Sequence, residues 1–170
     1  MTNENAVKFR KELDELEQKL KSEKNKDKDK KREIEGQIEA LYKKIFNDFE
    51  RDIEISSVQN IDEQCILFSE FFGRFLVFLD LSTSQIRNVY GDVMKMKMKG
   101  FNKNELMLLK PRLAYTTERK GTEGSKKFRE KIERALDKVI FAKENQEQLF
   151  QNFANFFEAI LAYHRSFGGK

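Results

Sequence analysis

Pro111 is the only proline in this chain of 170 residues, and long segments between its glycines carry no turn dipeptide. A chain so poor in breakers lacks the frequent tight turns that a many-stranded sheet needs, so it points to helices. The apolar spacing agrees. Phe9, Leu13, Leu16 and Leu20 recur at intervals of 4, 3 and 4 residues, and Ile34, Ile38, Leu41, Ile45, Phe49 and Ile53 renew the same stripe. Between them, Lys21–Arg32 (KSEKNKDKDKKR) has no apolar residue. It reads as a solvated helix extension or a hinge, and its alternating signs argue against phosphate binding. Residues 1–55 are therefore expected to be a charged N-terminal helical extension, either one long helix or an antiparallel hairpin. Residues 56–170 are expected to be a separate helical domain.

Within that second part, Ile55–Asn60 reads as a connection. From Ile61 to Leu79 the chain is apolar on nearly every side, as the buried centre of a bundle is. Ser82 stands three residues before Gln85, the spacing of a capping box, with Leu81 and Ile86 at the staple positions. The helix so begun runs through Val89, Tyr90, Val93 and Met94 and ends by Gly100. Asn102 or Asn104 caps the next, with Leu106, Leu109 and Leu113 on one face, and Pro111 predicts a kink or a restart inside it. Lys120–Ser125 reads as a loop. Ser125 then caps a helix carrying Phe128, Ile132, Leu136 and Val139, and a last helix spans roughly Gln146–Arg165. The fold class is all-α: a compact bundle of about five helices plus the N-terminal extension, its core rich in the chain's 16 phenylalanines.

Several function classes lack their residues. Cys65 is the only cysteine, so no intrachain disulfide can form and a reducing cytoplasm is the expected location. The N-terminus lacks the apolar run of a signal peptide, and Cys65–Leu81, the most apolar window, is interrupted by Glu70, Gly73, Arg74 and Asp80. A soluble protein without a membrane partner is expected. His164 is the only histidine, so a zinc site of usual composition is not available. No Gly-flanked serine or glycine-rich phosphate loop appears. The expectation is a protein with no catalytic residues, no metal, no cofactor and no small-molecule substrate. His164 reads as a structural residue at the bundle edge, and Cys65 as a small buried hydrophobe.

Charge marks the functional region. Leu81–Arg134 holds fourteen Lys and Arg against six acids, whereas the whole chain carries only +4. A concentrated basic zone can hold phosphates, because each one neutralised releases condensed counterions. Three parts of it are organised. Lys127, Lys131, Arg134 and Lys138 share one face of the helix that follows Ser125. After Pro111, Arg112, Thr116 and Arg119 share another, with Tyr115 alongside and Lys120 next; arginine forks, a hydroxyl and an aromatic plane suit single-stranded nucleic acid. Arg87 lies one turn from Gly91, which leaves room for another backbone, with Gln85, Asn88 and Lys95 flanking. The competing readings are a merely solvated lysine face, tyrosines 90 and 115 as core residues, and a helical coiled-coil adaptor or scaffold that binds no nucleic acid.

Leu81–Tyr90 (LSTSQIRNVY), Glu105–Arg119 (ELMLLKPRLAYTTER) and Phe156–His164 (FFEAILAYH) together resemble the small subunit of type III-A (Csm) CRISPR interference complexes. Order and spacing agree, over roughly Ile61 to Gly168. The resemblance implies a non-catalytic helical domain acting in antiviral defence. Its partners would be guide RNA, target RNA, the backbone and large subunits, and further copies of itself stacked head to tail along the guide–target channel. By position it makes Arg87, Lys110, Arg112, Arg119 and Lys120 RNA-binding candidates; Lys127, Lys131 and Arg134 rest on the charge stripe alone. Thr116 and Thr117 depart from the small residues common in that family, and residues 1–55 match no part of it.

Overall fold

The first N-terminal stripe becomes α1 (Asn3–Glu23), and the second becomes α2 (Lys28–Asn47) only as far as Ile45, with Phe49 and Ile53 beyond its end. They form an antiparallel hairpin: the Met1 ammonium donates to the Asp48 carbonyl at 2.7 Å, and Asn5 Nδ2 donates to Asp48 Oδ2 at 3.1 Å. The start of α1 therefore stands beside the end of α2. Leu13, Ile38, Leu41, Tyr42 and Ile45 are buried. Asp27 caps α2, its carboxylate accepting from the amides of Asp29 and Lys30. The apolar-free run Lys21–Arg32 is thus helical at both ends. The computed structural model describes residues 1–23, 27–118 and 121–170, so residues 24–26 of that run lie outside the described residues.

The chain divides into two compact units, Met1–Arg51 and Asp52–Lys170. The second contains α3 (Ile53–Gln59), α4 (Glu63–Phe78), α5 (Thr83–Lys99), α6 (Lys103–Glu118), α7 (Glu123–Ile140) and α8 (Gln146–Ser166). Among the described residues there are eight helices and no strand. The all-α class holds, but the count of about five helices is too low. One added helix is α3, which falls where a connection was expected. Two turns are too short for a periodic stripe to be legible, yet Ile53 and Val58 are both buried.

α4 and α8 form the centre. Phe68, Phe71, Phe72 and Leu76 of α4 are buried, as are Phe150, Phe153, Phe156, Phe157 and Ile160 of α8. Phe157 is the hub, with ring centroids 5.5 Å from both Tyr90 of α5 and Phe128 of α7. Gly73 sets the helix spacing: a Cβ there would stand 2.8 Å from the His164 amide nitrogen and 3.0 Å from the Ile160 carbonyl. The backbones of α4 and α8 meet at a distance that no side chain tolerates.

Three local expectations change in detail. α6 is continuous through Pro111 and does not restart. Pro111 and Met107 are both exposed, so water can serve the Met107 carbonyl that proline leaves without an amide donor. α7 begins two residues before Ser125, and its cap is Thr122, whose hydroxyl accepts from the Ser125 amide at 3.1 Å. Gly124 in that first turn packs against the α4–α5 connection, where a Cβ would meet the Leu79 carbonyl at 2.9 Å. Asn102, not Asn104, caps α6 by accepting from the amides of Asn104 and Glu105. The Ser82–Gln85 capping box of α5 forms as expected, and α5 ends at Gly100 with φ of 101°.

Candidate nucleic-acid interface

The basic zone splits on folding into cations that face inward acids and cations that face solvent. α7 shows the first kind. Glu54 of α3 is fully buried, and Lys131 Nζ approaches its carboxylate at 3.3 Å while Arg134 Nη1 does so at 2.9 Å. Arg134 also pairs with Asp52. A carboxylate withdrawn from water needs such partners, so these two residues fasten α3 to α7. The expected one-signed stripe is consequently interrupted: Lys127 is exposed and unpaired among the described residues, but Lys131 and Arg134 hold an acid from another helix. Nothing in the sequence places Glu54 opposite them, 77 and 80 residues away along the chain.

α6 divides similarly. Lys110 Nζ lies 2.6 Å from Asp137 Oδ1 and ties α6 to α7. Arg112 Nη1 lies 3.1 Å from Asp92 Oδ2 on α5, yet its side chain remains 57% exposed, so part of the guanidinium is open to a further anion. Tyr115, one turn on, is 73% exposed and Leu108, one turn before, is 53% exposed. Tyr115 is thus no core residue, whereas Tyr90 is half-buried against Phe157. Burial and the neighbouring Glu158 carboxylate push the Tyr90 phenol up to about 12. Arg119 and Lys120 lie outside the described residues.

On α5, Arg87 is exposed and has no charged partner among the described residues. Two further α5 lysines join it. Lys95 sits 3.6 Å from Asp92, and Lys99 is exposed at the helix end. Asp92, Lys95, Met96, Lys99, Leu108 and Arg112, together with Glu105, line an open groove of about 410 Å³ between α5 and α6. Lys95 is expected from the sequence as a flank of Arg87 and Gly91, whereas Lys99 is not. The available signal was the four-residue spacing Arg87–Gly91–Lys95–Lys99 along one helical row.

The two groups with nucleophilic or acid–base chemistry are both enclosed. His164 is fully buried, its Nε2 2.8 Å from the Leu81 carbonyl and its Nδ1 3.4 Å from Thr83 Oγ1. Nε2–H therefore donates to Leu81, which fixes the tautomer. Burial holds the imidazole below its ordinary pKa, against the smaller upward pull of the Leu81 hydrogen bond. Burial pushes the Cys65 thiol up, and the nearby Asp62 carboxylate acts in the same direction. Among the described residues no group of three or more His, Cys, Asp or Glu is arranged to hold a metal ion. No described helix is long and apolar enough to cross a membrane.

The arrangement offers exposed cations and an exposed aromatic ring beside a groove, on a scaffold in which His164 and Cys65 are buried. No curated protein and no solved structure matches the chain. The family model for Csm2 Type III-A matches residues 63–170. That span takes in five of the six helices of the second unit, α4 to α8, and well over half of the chain. This chain belongs to the Csm2 family, the small subunits of type III-A CRISPR complexes.

Proposed function

We propose that this subunit is a non-catalytic RNA-contacting part of its complex. Several copies stack head to tail beside the backbone subunits, along the channel in which target RNA pairs with guide RNA, in the cytoplasm. The observation that carries the reading is the outward cation set Arg87, Lys95, Lys99, Arg112 and Lys127; among the described residues only Lys95 and Arg112 of these contact an acid, and both share Asp92. Lys110, Lys131 and Arg134 support that surface by holding α6 and α3 on α7; Arg119 and Lys120 stay RNA-binding candidates on the sequence alone. Such a surface reads charge and shape, leaving sequence to base pairing.

The test is binding of the full chain to single-stranded RNA across a salt series. Affinity should fall steeply with salt, each phosphate contact contributing about −0.7 to the log–log slope. Sequence-selective binding that ignores salt would refute the reading. Arg87→Ala with Lys127→Ala should flatten the slope with the melting temperature unchanged, because both side chains are exposed and neither has an ion pair or hydrogen bond among the described residues.

A further inference from the structure

Gly91 sits in the middle of α5, where glycine is a poorer helix former than any residue but proline. An internal helical glycine is usually explained by a neighbour that a Cβ would strike, as Gly73 and Gly124 are here. Gly91 has no such neighbour: a Cβ built on it meets nothing within 4 Å. The fold itself therefore gives no reason for the missing side chain.

What surrounds the gap is cationic. One turn before Gly91 stand Arg87 and Asn88; one turn after it stands Lys95, with Lys99 a turn further. Arg87 and Lys95 are about 12 Å apart along the helix at 1.5 Å per residue, with the bare backbone of Gly91 midway. Beside it, Asp92 engages both Lys95 and Arg112, so the acid of this patch is already occupied by its own cations. An open glycine alone would not mark a site. Gly36 on α2 is equally open, but its neighbours one turn away are Arg32, Glu33, Glu39 and Ala40, which carry a net negative charge. At Gly91 the same gap is framed by positive charge on both sides.

We propose that Gly91 is the crossing point at which the sugar–phosphate backbone of an RNA strand lies directly on α5. Phosphates on either side of the crossing are held by Arg87 and by Lys95, and the strand continues into the α5–α6 groove toward Arg112. This rests on the RNA-contacting reading above and adds where the strand touches and why the helix has no side chain there. A partner helix also seeks small residues, but the flanking Arg87 and Lys95 favour a polyanion over an apolar helix face.

The full chain is titrated with a fluorescent oligouridylate at several salt concentrations, alongside thermal melting. Gly91→Ala should raise the melting temperature by about 2–4 °C, since alanine is the better helix former. It should nevertheless weaken RNA binding. Gly91→Leu should weaken it further, on the order of tenfold. Arg87→Ala with Lys95→Ala should lower the log–log salt slope by about 1.4, two phosphate contacts at about 0.7 each. If Gly91→Ala and Gly91→Leu bind like the parent while the double variant loses its slope, the crossing point is wrong and the RNA reading stands. If the parent chain does not bind RNA at all, the RNA reading itself falls. If the glycine variants keep RNA affinity but lose association between copies of the chain, the backbone that crosses Gly91 belongs to a protein helix and the proposal is overturned.

Discussion

His164 shows how one side chain can be read correctly in kind and incompletely in consequence. Its isolation as the sole histidine argued for a structural role. The structure adds what it fixes: through Nε2 it anchors the carbonyl of Leu81, at the turn between α4 and α5. Because burial lowers its pKa in the folded chain, the unfolded chain binds the extra proton first. Stability is then full above the ordinary histidine pKa of about 6.5 and declines as pH falls below it. The slope can approach about 1.4 kcal/mol per pH unit. Melting between pH 7.5 and 5.5 checks this. The parent chain should lose stability across that range, and His164→Gln, less stable at pH 7.5, should lose much less. An equal loss in both would assign the effect to other groups.

Elements were legible wherever a stripe ran for three turns or more, and obscure wherever partners lay far off in sequence. The apolar period announced α5, α7 and α8, all-round apolarity announced α4, and the Ser82–Gln85 spacing announced how α5 begins. α3 was missed because its seven residues carry no readable period and its one strong acid, Glu54, is buried only by virtue of Lys131 and Arg134 on α7. The same blindness made those two cations look like half of a phosphate-binding stripe. Their roles separate experimentally. Lys131→Ala or Arg134→Ala leaves Glu54 under-compensated and should cost about 2 kcal/mol of stability, seen as a lower denaturant midpoint. Lys127→Ala on the same helix should cost nothing measurable. Glu54→Gln should relieve the effect of either loss, since a neutral amide asks less of its surroundings.

At the scale of the molecule, three short motifs pointed to the part of the chain that the family model covers, residues 63–170. The compact second unit begins at Asp52, whose carboxylate pairs with Arg134, and Ile53 and Glu54 are buried within α3. A chain starting at Asp52 should therefore fold and retain salt-sensitive RNA binding. One starting at Ser56 should melt at lower temperature, having lost the buried partners of α7. Circular dichroism melting of the two truncations decides the matter. Gly73 carries a consequence of another sort. It lets α4 lie backbone to backbone on α8, so the central seam joins segments whose contacts are 87 to 91 residues apart in sequence. Loop closure over that length precedes any reward from the contact. During synthesis, α4 leaves the ribosome with Phe68, Phe71 and Phe72 lacking the cover that α8 supplies until that helix emerges. The core of this unit thus closes only once α8 has been made, and a chain stalled before that helix would present sticky aromatic surface.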